Sequence, residues 1–188
     1  SGTDNVAVGY EALKANTTGG ANVAIGSNAL LLSTTASNNT AVGYNSLNDN
    51  TTGASNTAVG KQALEKNTTA SNNTAVGIAA LRYNTTGTSN ASLGYAALGA
   101  NTTADNNTAI GYYSLGANTT GTSNNAVGAN ALETNTTGSY NNAFGYRTLE
   151  DNTTGTENSG FGHNALTLTT TGSYNTATGS NALGTNTT

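Results

Sequence analysis

The chain has 188 residues, of which only 7% are charged, and its formal net charge is −4. With five basic residues against nine acidic ones it lacks the basic stripe that phosphate backbones require, so we predict no nucleic-acid binding. The absence of cysteine excludes disulfides and thiolate metal sites, and no apolar run reaches the roughly 18 residues needed for membrane insertion.

A 17-residue unit repeats from Asn5 onwards without insertion or deletion. A fixed short period of this kind is the sequence signature of a solenoid. We number each unit from its leading asparagine and call the units coils 1 to 11, so coil 3 is residues 39–55. The predicted organisation is a leader or expression remnant at 1–4, then a single array over 5–188 whose last unit is truncated. The glycine at position 5 recurs at Gly9, Gly26, Gly43, Gly60, Gly77, Gly94, Gly111, Gly128, Gly145, Gly162 and Gly179.

Positions 2 to 5 of each unit alternate in side-chain size, as in Thr40-Ala41-Val42-Gly43. Alternation with period two predicts a short strand, with positions 2 and 4 on one side and the small residues on the other. A face of alanine and glycine allows another backbone to approach closely. We therefore expect the small face to meet a neighbouring layer or a second chain.

The next segment, such as residues 10–15, contains good helix formers but is too short for an independent helix. It is predicted to be either one helical turn, closed by the asparagine at position 12 in a left-handed conformation, or a second short strand. The Asn-Thr-Thr-Gly run that follows is typical of a turn. The predicted fold class is therefore all-β, with single helical turns as an option: a parallel β-solenoid or β-roll of eleven coils stacked about 4.8 Å apart.

Position 1 is asparagine in every unit, from Asn5 to Asn175. One interpretation is a ladder of side-chain amides that bond the coil above or below. The alternative is that asparagine simply suits a turn. Thirteen of the 14 charges fall at positions 6, 7, 10, 11, 16 and 17, which predicts that these positions form a solvated edge.

Each coil offers only about one valine and one leucine, which is little apolar surface for ordering 17 residues. We therefore predict a homo-oligomer with cyclic symmetry, a trimer, in which the small face makes the contact between chains. End-to-end stacking of chains into a filament is a variant of this prediction.

The units Asn5-Val6-Ala7-Val8-Gly9 and Asn22-Val23-Ala24-Ile25-Gly26 resemble the head repeats of trimeric autotransporter adhesins, which are built around S-V-A-I-G. The longer form N-T-A-V-G-x-x-A-L-x-x-N-T-T-G is similar to repeat arrays of phage tail fibres and large bacterial surface proteins. The resemblance covers essentially the whole chain, although the autotransporter repeat is shorter than 17 residues. It implies a trimeric β-roll or β-solenoid that serves as a fibre shaft or adhesin on a cell surface, on a virion or in an extracellular filament.

Candidate catalytic residues are scarce, because the only histidine, His163, lies at a variable position. We predict no enzyme, no cofactor and no metal site. A row of tyrosines at position 6 is a candidate for glycan contact by stacking on sugar rings; the alternative is that these rings cover the glycine of an adjacent coil. The row comprises Tyr10, Tyr44, Tyr95, Tyr112 and Tyr146.

Ice binding is the alternative function, because flat threonine arrays present ordered water in several β-solenoid antifreeze proteins. Position 14 would supply one rank and the asparagines of position 12, such as Asn16, a second rank pointing the same way. The competing interpretation is that the hydroxyls satisfy turn backbone groups. The threonines of position 14 are Thr18, Thr35, Thr52, Thr69, Thr86, Thr103, Thr120, Thr137, Thr154 and Thr171.

Overall fold

Each 17-residue unit completes one coil and contributes one three-residue strand to a parallel sheet. The computed structural model describes residues 2–187, in which eleven strands pair in sequence order from first to last with no crossover. The register shifts by one whole unit per strand, so that Thr40 pairs with Thr57 and Val42 with Val59. The strands are β1 Val6–Val8, β2 Val23–Ile25, β3 Thr40–Val42, β4 Thr57–Val59, β5 Thr74–Val76, β6 Ala91–Leu93, β7 Thr108–Ile110, β8 Asn125–Val127, β9 Asn142–Phe144, β10 Ser159–Phe161 and β11 Thr176–Thr178.

The predicted β-solenoid of 17-residue coils is confirmed. Ser1 of the predicted leader and Thr188 of the last unit lie outside the described residues. Residues 2–4 follow the register of the repeat: Asp4 has the positive φ that marks position 17, and Thr3 accepts a hydrogen bond from the backbone of Ala21, as position 16 does elsewhere.

The segment from position 5 to position 12 is neither of the two predicted alternatives, helical turn or strand. In coil 3 it is a chain of tight turns, in which the backbone N–H of Ser46 donates to Gly43 and that of Asn50 donates to Leu47. The left-handed residues are at positions 7 and 9, here Asn45 and Leu47, instead of the asparagine at position 12. Alternation of left-handed and ordinary residues prevents the continuous hydrogen bonding of a helix.

The leucine at position 9 accepts this unusual backbone because its side chain fills the interior. Leu47 has a φ of 49° and is fully buried, as are its equivalents in coils 2–10. The core of each coil is this leucine together with the small residues at positions 3 and 8. The leucines that are fully buried are Leu30, Leu47, Leu64, Leu81, Leu98, Leu115, Leu132, Leu149 and Leu166.

The small face of the strand points into this core, which corrects the prediction that it contacts a second chain. Positions 3 and 8 belong to opposite walls that lie too close for larger side chains. Coil 9 carries Thr148 at position 8, and the next coil has Gly160 at position 3; a Cβ added to Gly160 would lie 2.5 Å from Thr148 Cγ2. Packing at this density leaves room for alanine on both walls, and the larger threonine on one wall is matched by a glycine on the other.

The glycine at position 5 is invariant for a reason that the backbone shows directly. Gly77 has a φ of 135°, and a Cβ added to it would lie 2.3 Å from the carbonyl oxygen of Gly94 in the next coil. A side chain at this corner would therefore be strained and would also separate the coils.

Candidate binding surfaces

Because the alanines point inwards, the apolar residues of position 4 point outwards and form what we call the strand face, together with position 2. Leu93 is 50% exposed, and Ile110 and Phe161 are also exposed. The rings of Phe144 and Phe161 stack with centroids 5.2 Å apart. Sequence reasoning missed this surface because it counted the valine of position 4 as buried. The result is a continuous apolar row along the parallel sheet, interrupted by Thr178 in coil 11.

All five tyrosines predicted for glycan contact are exposed, but the structure groups only some of them. Tyr95 and Tyr112, in adjacent coils, stack with centroids 5.5 Å apart. Tyr146 stacks on His163 at 5.4 Å. Tyr10 and Tyr44 are in coils 1 and 3, and the coil between them carries Ser27 at the same position. The predicted row is therefore a set of separate aromatic groups.

The threonines and asparagines proposed as two ranks point in opposite directions. The threonine of position 14 is exposed in every copy from Thr18 to Thr171. The asparagine of position 12 is buried in coils 3–9 and half-buried in coils 1 and 11. In coil 5, Asn84 Nδ2 donates to Asn67 Oδ1 at 3.0 Å and to the Gly87 carbonyl at 2.9 Å. The two-rank prediction is wrong, because the segment turns between these positions and the amide is used inside the coil. A single threonine row remains on the surface.

The prediction that position 1 forms an amide ladder is confirmed. In coil 5, Asn73 Oδ1 accepts a hydrogen bond from the backbone N–H of Asn90, at 2.9 Å, in the coil that follows. Its Nδ2 donates to the carbonyl of Gly87, also at 2.9 Å, within its own coil. These groups are fully buried, so the ladder is an internal support and leaves no amide at the surface.

Most charged side chains lie on the outside as predicted, but two glutamates of position 10 are buried. Glu65 is 7% exposed and accepts from Arg82 Nε at 2.7 Å, one coil further on. Glu150 is 8% exposed and accepts from Arg147 at 2.5 Å, and this carboxylate raises the pKa of the Arg147 guanidinium. Each carboxylate is paired, which is the condition for burying a charge.

One further ring extends the pair of Tyr95 and Tyr112 to a group of three, which borders a depression in the surface formed by positions 10 and 11. Tyr113, the only tyrosine at position 7, packs edge-on against Tyr112 at 4.7 Å and Tyr95 at 5.5 Å. The nearby hydroxyl of Tyr95, as a potential second negative charge and as a hydrogen-bond partner, raises the pKa of Tyr113. Arg82 and Tyr83 line the same depression, and the Arg82 guanidinium lies 5.0 Å from the centre of the Tyr83 ring.

Comparison of the chain with protein-family models, with curated proteins and with solved structures found no match. Within residues 2–187, no cluster of histidine, cysteine, aspartate and glutamate is arranged to hold a metal ion. The same residues contain no helix with the length and hydrophobicity of a membrane span.

Proposed function

We propose that this chain is a non-enzymatic structural segment of an extracellular fibre, on a cell surface or a virion, that assembles as a homotrimer. Its task is to space or present a binding tip. The observation that carries this proposal is the strand face, an apolar row that runs along the solenoid on its outer side. Contiguous apolar surface of this kind is uncommon on monomeric proteins and typical of association sites.

A second copy of the same chain is the partner that fits the strand face best. The strand face repeats once per coil. A parallel copy has the same distance between coils, so the two faces match along their whole length. Position 2 contributes small or polar groups such as Thr57 and Thr74 beside the apolar row, and the strand face itself carries no charged residue. An uncharged and periodic surface suits a contact between identical chains in a cyclic oligomer.

Sedimentation equilibrium tests the proposal, because a trimer has three times the 18.6 kDa mass of the chain. We expect Leu93→Lys to lower the average mass, since three ammonium groups would enter one apolar contact. Ile78→Lys is the matched control: both side chains are 50% exposed, but Ile78 lies at position 6, outside the strand face. Lys61 occupies that position naturally.

A monomer mass for the unmodified chain at micromolar concentration would overturn the oligomer. Equal masses for Leu93→Lys and Ile78→Lys would move the contact away from the strand face. Circular dichroism of both variants should match the unmodified chain, because coil 11 already carries the polar Thr178 at the position of Leu93.

Ice binding through the threonine row is a second candidate, favoured by one observation. Position 14 presents one exposed hydroxyl and methyl per coil at ten successive levels, a linear array with a spacing of about 4.8 Å. Thermal hysteresis of the purified chain tests it, with Thr86→Tyr in the middle of the row as the disrupting variant. Absence of hysteresis at high concentration would remove this candidate.

A further inference from the structure

Two adjacent coils leave a gap in a surface that is filled elsewhere. In coils 2–5 and 8–10, positions 10 and 11 both carry side chains larger than alanine. Coils 6 and 7 instead carry Gly99-Ala100 and Gly116-Ala117. Where these small residues adjoin, the surface has a depression of about 280 Å³. A second depression, of about 230 Å³, continues from Tyr113 and Gly116 towards Glu133 and Thr134. We call the two together the groove.

The same coils that lack side chains on the groove floor supply aromatic rings to its wall. Tyr95 and Tyr113 line the depression, and Tyr112 packs against both of them. Tyr83 and Arg82 line it as well, with the guanidinium against the Tyr83 ring. Mutual packing holds the rings in place, so little side-chain entropy would be lost when a flat ligand enters.

Tyr113 has a left-handed backbone conformation, which position 7 adopts in every coil. Its φ is 51°, in the left-handed region that bulky residues rarely adopt. Five other coils place asparagine at this position, a residue that tolerates the conformation well. The ring of Tyr113 lines both depressions and forms the boundary between the two halves of the groove.

Polar groups stand at both ends of the aromatic stretch. The Arg82 hydrogen bond to Glu65 uses one of the five donors of the guanidinium. Glu133 lines the far end, and its carboxylate also accepts from Asn130. The positive charge of Arg82 is balanced by Glu65, and Glu133 adds a negative one. This balance disfavours phosphates and other anions.

We propose that the groove binds a neutral oligosaccharide across coils 5–8. A pyranose ring has an apolar face of C–H groups and a rim of hydroxyls, which match flat tyrosine rings between hydrogen-bonding groups. Tyr95 and Tyr113 stack on the sugar faces, while Arg82 donates to ring hydroxyls and Glu133 accepts from them. The site goes beyond the fibre function and does not depend on the trimer, because positions 6, 7, 10 and 11 lie outside the strand face.

Saturation-transfer difference NMR tests the site with five hexasaccharides as probes, built from glucose in its α and β linkages, xylose, mannose and N-acetylglucosamine. We expect at least one probe to bind the full chain. Tyr113→Asn should lower the affinity for that probe by at least about tenfold, because it removes the central ring. The variant should fold normally, since asparagine is the residue most common at that position. Gly99→Glu should lower the affinity likewise, by filling the floor with the side chain that Glu65 and Glu133 place at position 10.

Tyr44→Ser is the matched control, because it removes an exposed tyrosine in coil 3 and introduces a residue found at that position in coil 2. It should leave probe affinity unchanged. Binding of none of the five probes, or equal affinity for the unmodified chain and both groove variants, would overturn the proposal. A single-stranded deoxythymidine dodecamer is the competing probe: if it binds through Tyr113 and the sugars do not, the groove is a base-stacking site and the carbohydrate assignment fails.

Discussion

Two asparagine ladders run through the same interior, yet only one of them is invariant. Position 1 is asparagine in all eleven coils, whereas position 12 is replaced by Ser33 and Thr169. In coil 5 the side chains of Asn73 and Asn84 both donate to the carbonyl of Gly87, so they share one acceptor. Burial does not separate them, because both are fully buried.

The difference lies in what each side-chain oxygen accepts. Asn73 Oδ1 accepts the backbone N–H of Asn90, whereas Asn84 Oδ1 accepts only the side chain of Asn101. A buried backbone amide cannot be removed by mutation and is costly to leave without a partner. Position 1 must therefore keep an acceptor and a donor at fixed places, which only asparagine provides. The asparagine at position 12 accepts hydrogen bonds only from other side chains, and these side chains can be substituted together with it.

Asn73→Asp should have the largest effect, because it keeps the shape and the acceptor but replaces the donor by a charge. A buried carboxylate facing the Gly87 carbonyl should cost about 3–5 kcal/mol at neutral pH. The same environment raises the folded-state pKa of the introduced acid above its unfolded value of about 3.9, so the loss is complete above the folded pKa and disappears as the pH falls below the unfolded one.

Thermal unfolding at about pH 3.5 and about pH 7 measures this pH dependence. Asn72→Asp is the control, since Asn72 is exposed at position 17, where Asp4 already occurs in the repeat register. Equal midpoints for the two variants at neutral pH would show that position 1 needs no donor.

Asn73→Ala should be the next most harmful change, at about 2–3 kcal/mol, because the Asn90 amide loses its acceptor. Asn84→Ala should cost about 1 kcal/mol, since Gly87 keeps Asn73 as a donor and no backbone amide is orphaned. Hydrogen exchange at the Asn90 amide separates the two: we expect faster exchange in Asn73→Ala and little change in Asn84→Ala. Equal exchange in both variants would contradict the distinction between the ladders.

Ser33→Asn should stabilise the chain by about 1 kcal/mol by continuing the second ladder through coil 2. Within the described chain, Ser33 Oγ and Asn16 Oδ1 are buried without a hydrogen-bond partner. An asparagine at residue 33 would donate to Asn16 as Asn67 donates to Asn50 at 2.8 Å. Ser33→Ala is the control and should be close to neutral, because the hydroxyl makes no bond. A lower unfolding midpoint for Ser33→Asn than for Ser33→Ala would refute the explanation.

The period, the strand and the first ladder were predictable because identity at every seventeenth residue displays them directly. Which face of the strand points into the core was not predictable. Alternation separates two faces but does not say which one lies inside, and we expected the larger Val42 inside instead of Ala41. The deciding quantity is the distance between opposite walls, which becomes visible only through pairs such as Thr148 and Gly160.

The turn segment and the groove were harder to predict for different reasons. The left-handed backbone at Leu47 goes against the conformational preference of leucine, and it is adopted because packing of the buried side chain outweighs the strain. Predicting the groove requires knowing that Tyr113 lies against the gap left by Gly99 and Gly116. The sequence did hold a signal, because Gly-Ala replaces longer residues in the two coils that carry adjacent tyrosines.

On the surface, an ion pair with the same 17-residue spacing as the ladders should contribute least to stability. Lys66 Nζ lies 2.9 Å from Asp49 Oδ2, and this carboxylate raises the pKa of the lysine above its usual value. With side chains 42% and 27% exposed, the pair should contribute at most about 0.5 kcal/mol to the free energy of unfolding.

This contribution should be complete below the pKa of lysine in the unfolded chain, about 10.4, and be lost as the pH rises through the pKa of Lys66 in the folded chain. A double-mutant cycle with Lys66→Met and Asp49→Asn, measured at about pH 8 and about pH 12, isolates the coupling. A coupling as large as the effect of Asn73→Ala would show that contacts between coils are equally strong inside and outside, against the comparison of the ladders.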